Sequence, residues 1–287
     1  MNLYNMMLSF NILSMPPMFL VNVGEIVKAA ILIGAVGIVL GLCLGIAAKF
    51  LAIEVDPKQE MVRDLLPGNN CGACGYAGCD SLAEAIAQGK AEGTACPVAN
   101  NEAYAAIAEV MGVEATVKEK LVAFVKCGGT CDKTKVKYEY QGIEDCNKAM
   151  VAPGEGPKAC SYGCLGFGSC VKACQFDALH IVDGIAVVDK KKCTSCGLCI
   201  SKCPNKLIEL VPQAATHKVN CNSNDKGKDV KAVCSVGCIG CMMCTKVCEF
   251  DAITVENNLA SIDYSKCTGC GKCAQKCPTK IILSEIA

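Results

Sequence analysis

Residues 266–280 read KCTGCGKCAQKCPTK. Four thiols, Cys267, Cys270, Cys273 and Cys277, are spaced C-x2-C-x2-C-x3-C, with Pro278 directly after the last. The spacing recurs without exception at Cys193, Cys196, Cys199 and Cys203, and at Cys238, Cys241, Cys244 and Cys248. In such a run three cysteines hold one [4Fe–4S] cube and the fourth reaches a neighbouring cube. Small intervening residues let the loop wrap a cluster, and Pro204 and Pro278 close it with a fixed φ and no competing donor. A zinc site wants four thiolates around one ion, which paired runs of this spacing do not supply.

A fourth run, CLGFGSCVKAC at 164–174, is imperfect, because Phe167 stands where a second cysteine belongs. It belongs to a repeat with a period of 74 residues. Cys160, Cys164, Cys170 and Cys174 map onto Cys234, Cys238, Cys244 and Cys248, and FDA at 176–178 recurs at 250–252. Between the runs, ALHIVDGIAVVD and AITVENNLASID alternate apolar and polar residues around a turn, the pattern of a β-hairpin. The expected class is α+β, with two tandem two-cluster ferredoxin-like modules at 121–211 and 218–287. Crossed ligation groups Cys238, Cys241 and Cys244 with Cys277, Cys267, Cys270 and Cys273 with Cys248, and Cys193, Cys196 and Cys199 with Cys174. Cys164, Cys170 and Cys203 then need a fourth ligand. Cys160 is the expected donor, which leaves its mate Cys234 spare; Cys146 and a three-iron cluster are the alternatives.

A separate constellation lies upstream, within an expected domain at 60–115. Cys71, Cys74, Cys79 and Cys96 are spaced C-x2-C-x4-C-x16-C. DSLAEAIAQGK after Cys79 reads as a helix whose start aims a positive dipole at a cluster; zinc is the rival occupant. Cys43, Cys127, Cys131, Cys146, Cys221 and Cys234 remain. Cys127 and Cys221 each precede a repeat and are either parts of a sixth site or structural thiols. The expected count is five [4Fe–4S] clusters, with room for a sixth.

Cysteine makes up 26 of 287 residues, there is no Trp, and aromatics are 5%. So few large side chains call for a covalent or metal staple. A formal net charge of zero argues against a nucleic-acid partner. Ala29–Ala48 carries no charge and, as a helix, is about 30 Å long, the thickness of a bilayer core. A cleaved signal peptide is the alternative, but it would follow a basic start, and residues 1–24 hold no Lys or Arg. The expected layout is a tail at 1–25 and a single-pass anchor at 26–53. Gly37, Gly41 and Gly45 form a face that would let another membrane helix come close. Lys49, Lys58 and Arg63 after the span, against Lys28 before it, put the cluster domains on the cytoplasmic side of the inner membrane.

An apolar N-terminal helix, then CGACGYAGC…CP, then ferredoxin runs, resembles the B subunit of the Rnf complex over nearly the whole chain. That family couples electron transfer from reduced ferredoxin to NAD⁺ with pumping of Na⁺ or H⁺. The resemblance implies an electron-transfer subunit of an ion-translocating oxidoreductase, with ferredoxin as donor and the other Rnf membrane and flavoprotein subunits as partners beside the lipid bilayer. The bare residues reach part of this unaided, since clusters in series on an anchored chain form an electron wire. No Gly-rich dinucleotide fingerprint or P-loop is present, so NAD chemistry belongs elsewhere. His180 and His217 are isolated and read as ordinary surface or core residues. Lysines crowd the runs, at Lys190–Lys192, Lys202 and Lys206 and again at Lys266, Lys272, Lys276 and Lys280, and offer a face to an acidic ferredoxin. Two other classes fit less of the pattern: an electron-transfer subunit of another membrane hydrogenase or dehydrogenase, and a zinc or disulfide scaffold.

Overall fold

A computed structural model describes residues 23–50, 56–115 and 117–284. Most of the expected tail and residues 51–53 of the expected anchor lie outside them. The chain divides into two units, residues 1–55 and 56–287.

The first unit contributes one helix, α1 (Val23–Phe50). Its segment Ile26–Lys49 has a mean hydropathy of 2.7 and is long and apolar enough to cross a membrane. Its large apolar side chains, among them Ile31, Leu32 and Ile33, stand exposed all around the helix. A helix apolar on every side has no solvated face and suits lipid.

The second unit opens with three helices, α2 (Pro57–Leu65), α3 (Cys79–Ala87) and α4 (Asn101–Met111). Asp56 and Asn100 cap α2 and α4 by accepting backbone N–H bonds, and Gly112 in the left-handed region ends α4. Val62, Leu82, Ile86 and Ile107 fill the core between them.

Two copies of one arrangement follow. In the first, β1 (Leu121–Val125) pairs antiparallel with β4 (Ile208–Pro212), and β2 (Leu179–Val182) with β3 (Ile185–Val188). In the second, β5 (His217–Val219) pairs with β8 (Ile282–Ser284), and β6 (Ile253–Glu256) with β7 (Leu259–Ile262). The hairpins turn at Asp183–Gly184 and Asn257–Asn258, all four at positive φ, as tight two-residue turns require. Short helices carry the later cysteines: α6 (Ser169–Lys172) and α7 (Leu198–Lys202) in the first copy, α9 (Met243–Lys246) and α10 (Lys272–Lys276) in the second. Two more, α5 (Cys146–Val151) and α8 (Gly227–Val233), precede the cysteine runs.

Backbone bonds join the copies near Gly128 and Lys135, and Asn222 Nδ2 also donates to Asn205 O at 3.2 Å. Gly128 N–H donates to Asn220 O at 2.8 Å. Residues around Lys135 lie between the copies: Ala159 N–H donates to Lys135 O at 2.8 Å, and Lys135 N–H to Val233 O at 2.9 Å.

Candidate metal centres

A strand points alternate side chains to one face. On β1 and the residues just after it, Ala123, Val125 and Cys127 share that face, and each lines a different cavity. All three cavities are ringed by cysteine, as are two more in the second copy.

Cys174, Cys193, Cys196 and Cys199 line the cavity over Ala123. Cys238, Cys241, Cys244 and Cys277 line a second, and Cys248, Cys267, Cys270 and Cys273 a third. These are the groupings expected from spacing. In the cavity over Val125, Cys164, Cys170 and Cys203 meet Cys146. In the last, Cys127 and Cys160 of the first copy meet Cys221 and Cys234 of the second.

Cys160 is therefore not beside Cys164, Cys170 and Cys203 as expected, and the reason is local. The bonds through Lys135 hold residues 157–159 and 233–235 on either side of one segment, which sets Cys160 against Cys234. Cys146 takes the expected place instead. Asp145 caps α5, accepting from Asn147 and Lys148 N–H at 3.0 and 3.1 Å and from Ser169 Oγ at 2.9 Å. Ser169 Oγ in turn accepts from Cys146 N–H at 2.8 Å, which ties α5 to α6 and Cys146 to Cys170. Phe167, in the position of the missing cysteine, packs 4.9 Å from the Tyr140 ring under the same segment.

Of the upstream constellation, Cys74, Cys79 and Cys96 are gathered in one core. Cys79 begins α3, with its N–H on Asn70 Oδ1 at 2.8 Å. Burial, offset by Val98 and Ala99 N–H bonds, still leaves the Cys96 thiol raised, with Cys74 and Cys79 close enough to add to it. Cys131 is exposed and faces none of the five cavities, and Cys43 lies on α1.

The donor chemistry suits iron–sulfur cubes. All 26 cysteines are free thiols. Among the described residues no three His, Cys, Asp or Glu converge tightly enough for a single ion. Instead four thiols stand apart around each cavity, which holds about 330–440 Å³ of free space, mouth included. Burial, with neighbouring thiols, pushes Cys170 and Cys199 up to about 12; burial first pushes Cys160 and Cys244 to about 11. Four such thiols ionise together only when positive charge enters with them, as metal binding supplies. Backbone N–H groups already aim at sulfur: Ala123 at Cys193 Sγ and Leu207 at Cys203 Sγ, both 3.4 Å. Cys164 N–H reaches Cys127 Sγ, and its mate Cys238 N–H reaches Cys221 Sγ, both at 3.3 Å.

Two side chains near the cavities were not singled out by sequence. Lys158 is buried, donates to Gly129 O at 3.0 Å and Gly184 O at 2.7 Å, and fixes a positive charge at the cavity between the copies. His217, read from sequence as an ordinary histidine, is buried at the cavity of Cys248, Cys267, Cys270 and Cys273. Thr216 Oγ1 and Ser284 Oγ hold its ring at 2.8 and 3.1 Å.

Comparison with known proteins identifies relatives along most of the chain. The B subunit of the Na(+)-translocating ferredoxin:NAD(+) oxidoreductase complex of Acetobacterium woodii is 48% identical, over 89% of this chain and 77% of that protein. The B subunit of the ion-translocating oxidoreductase complex of Methanosarcina acetivorans is 45% identical, over 90% of this chain and 97% of its own. The chain belongs to this B-subunit family. A third member, the B subunit of the proton-translocating ferredoxin:NAD(+) oxidoreductase complex of Clostridium ljungdahlii, is 43% identical over 91% of this chain and 93% of that one. Iron–sulfur family models match within the chain: "Putative Fe-S cluster" at 66–98, "4Fe-4S binding domain" at 186–209 and "4Fe-4S dicluster domain" at 237–281. The cavity between the copies, with Cys127, Cys160, Cys221 and Cys234, is covered only in part by the matched segments, which include none of its four cysteines.

Proposed function

We propose that this chain holds six [4Fe–4S] clusters, accepts electrons from reduced ferredoxin, and delivers them to the other subunits of an ion-translocating ferredoxin:NAD oxidoreductase complex. The observation that carries the reading is the arrangement of 20 cysteines as four around each of five cavities. Cys71, Cys74, Cys79 and Cys96 make the sixth set. The ligands are Cys146, Cys164, Cys170 and Cys203 at one centre, Cys127, Cys160, Cys221 and Cys234 at the junction, and the spacing-derived sets at the other three. A [4Fe–4S] cluster, when bound, takes up and releases single electrons.

The chain's own residues hold the clusters and set their surroundings. The N–H bonds to cysteine sulfur and the ammonium of Lys158 favour the more negative, reduced state. On this reading residues 60–115, 121–211 and 218–287 are three cluster-bearing units. Residues 26–53 anchor them, and Lys49, Lys58 and Arg63 keep them on the cytoplasmic side.

Iron and acid-labile sulfide analysis of the anaerobically purified chain tests the count, with about 24 of each expected. Titration with reduced ferredoxin under EPR tests the donor, with cluster signals growing in as ferredoxin is added. Colourless protein, or iron clusters that ferredoxin leaves oxidised, would overturn the reading.

A further inference from the structure

The repeat places equivalent surfaces in different surroundings. In the first copy, Thr194, Ser195 and Cys196 form one edge of a cavity, and the N-terminal three-helix domain covers them. Ser195 Oγ donates to Pro97 O at 3.4 Å, Thr194 Oγ1 is fully buried, and Cys71 comes within electrostatic reach of Cys196. One cysteine-ringed site is thus laid edge to edge against another.

One period later, the same edge is Thr268, Gly269 and Cys270. Here Gly269 rests against Thr216, but its two neighbours stand open. Thr268 and Cys270 are exposed, and Phe250 is 44% exposed whereas its mate Phe176 is half-buried.

Charge matches the same comparison. The covering domain, residues 60–115, carries eight Asp and Glu against Arg63 and Lys90 alone. The run it covers, 189–206, has five lysines and one aspartate. The uncovered run, 263–280, keeps four lysines and one aspartate, with Lys266, Lys272 and Lys276 all exposed.

We propose that the open edge around Cys270 is the docking surface for a small acidic iron–sulfur protein, which presents a cluster there as the N-terminal domain presents Cys71 to Cys196. This rests on the reading that ferredoxin is the donor, and adds where it binds. Opposite charge steers the encounter, and the exposed Phe250 supplies apolar contact at the centre. Cys270, at the surface, leaves a short path between the two sites.

The test measures binding of an acidic two-cluster [4Fe–4S] ferredoxin to the full holoprotein in detergent, without oxygen and at low salt. Lys266→Glu/Lys276→Glu should raise Kd about 10-fold or more. The repeat mates Lys192→Glu/Lys202→Glu, beside the covered edge, should change it less than about 2-fold. Iron content should be unchanged in both. Carbodiimide cross-linking of the wild type should join ferredoxin carboxylates to Lys266 or Lys272. Ferredoxin that binds wild type and the Lys266/Lys276 variant equally would overturn the surface while leaving the donor reading intact. So would self-association that buries these lysines against the acidic domain of a second copy. Ferredoxin that does not bind wild type overturns both.

Discussion

Replacing Cys234 with alanine separates the junction site from every assignment that spacing alone suggests. If Cys160 completed the set of Cys164, Cys170 and Cys203, then Cys234 and Cys146 would be spare and their loss would cost no iron. The structure puts Cys234 with Cys127, Cys160 and Cys221, and Cys146 with Cys164, Cys170 and Cys203. Each substitution then leaves one cube with three protein ligands. A cube in that state sheds one iron to become a three-iron cluster, or is lost with all four, from a total of about 24. Double variants make the test sharper, because losses at one site cannot add and losses at separate sites do. Cys160→Ala/Cys234→Ala should lose no more than about four irons, since both ligands serve one cluster. Cys146→Ala/Cys160→Ala should lose up to about eight. Cys131→Ala, at a residue facing none of the five cavities, is the control and should keep them all. The assay is iron per chain after anaerobic purification, read beside circular dichroism to show that the fold persists. Wild-type iron in Cys234→Ala and Cys146→Ala would refute the reasoning outright.

Three further outcomes follow from particular contacts. Gly166 sits at φ +82 and a Cβ there would lie 2.7 Å from Gly184 O, so Gly166→Ala should cost about 2–4 kcal/mol in anaerobic urea unfolding; an unshifted midpoint would remove the claim. Lys218 is buried with its ammonium 5.6 Å from the Phe124 ring, and burial, then neighbouring Lys190, pull it down to about 8. Native Lys218 thus binds its proton less tightly than the unfolded chain does. Lys218→Met should therefore stabilise the fold by about 1–3 kcal/mol at pH 7, with the advantage shrinking as pH rises from about 8 towards 10.5 and gone above it; thermal melts across that range would show a constant gap if the idea is wrong. Asp145→Ala removes the cap of α5 and the Ser169 link behind Cys146, so a chelator should strip the neighbouring cluster about 10-fold faster, by absorbance decay.

What could be read from sequence was whatever a few adjacent residues settle. A C-x2-C-x2-C run fixes its own loop, so the groupings within runs need no knowledge of distant contacts. The hairpins were visible as alternation around Asp183–Gly184 and Asn257–Asn258, and α3 as a helix following Cys79 and ended by Gly89 or Gly93. The junction site was not, because its four cysteines come from four separate stretches and meet through long-range bonds such as those at Gly128 and Lys135. His217 fits its reading as a core histidine, buried with both ring nitrogens bonded, but its place beside a cavity depends on Ser284, 67 residues away.

The spacing of the cysteines nevertheless carries one signal of the junction site. From Cys127 to Cys160 is 33 positions, but between their mates Cys221 and Cys234 it is 13. The surplus of 20 sits in the copy that has Phe167 for a cysteine, and it carries Cys146. An insertion that brings a ligand to the half that lacks one, with an aromatic contact between Tyr140 and Phe167 filling the vacated position, is a compensated exchange. With Cys146 there, Cys160 is as surplus to its own copy as Cys234 is to the second. On the proposed ligand sets, the surplus segment offers the first copy the thiol that Phe167 replaces, and the cysteine left over in each copy, Cys160 and Cys234, faces the seam between them.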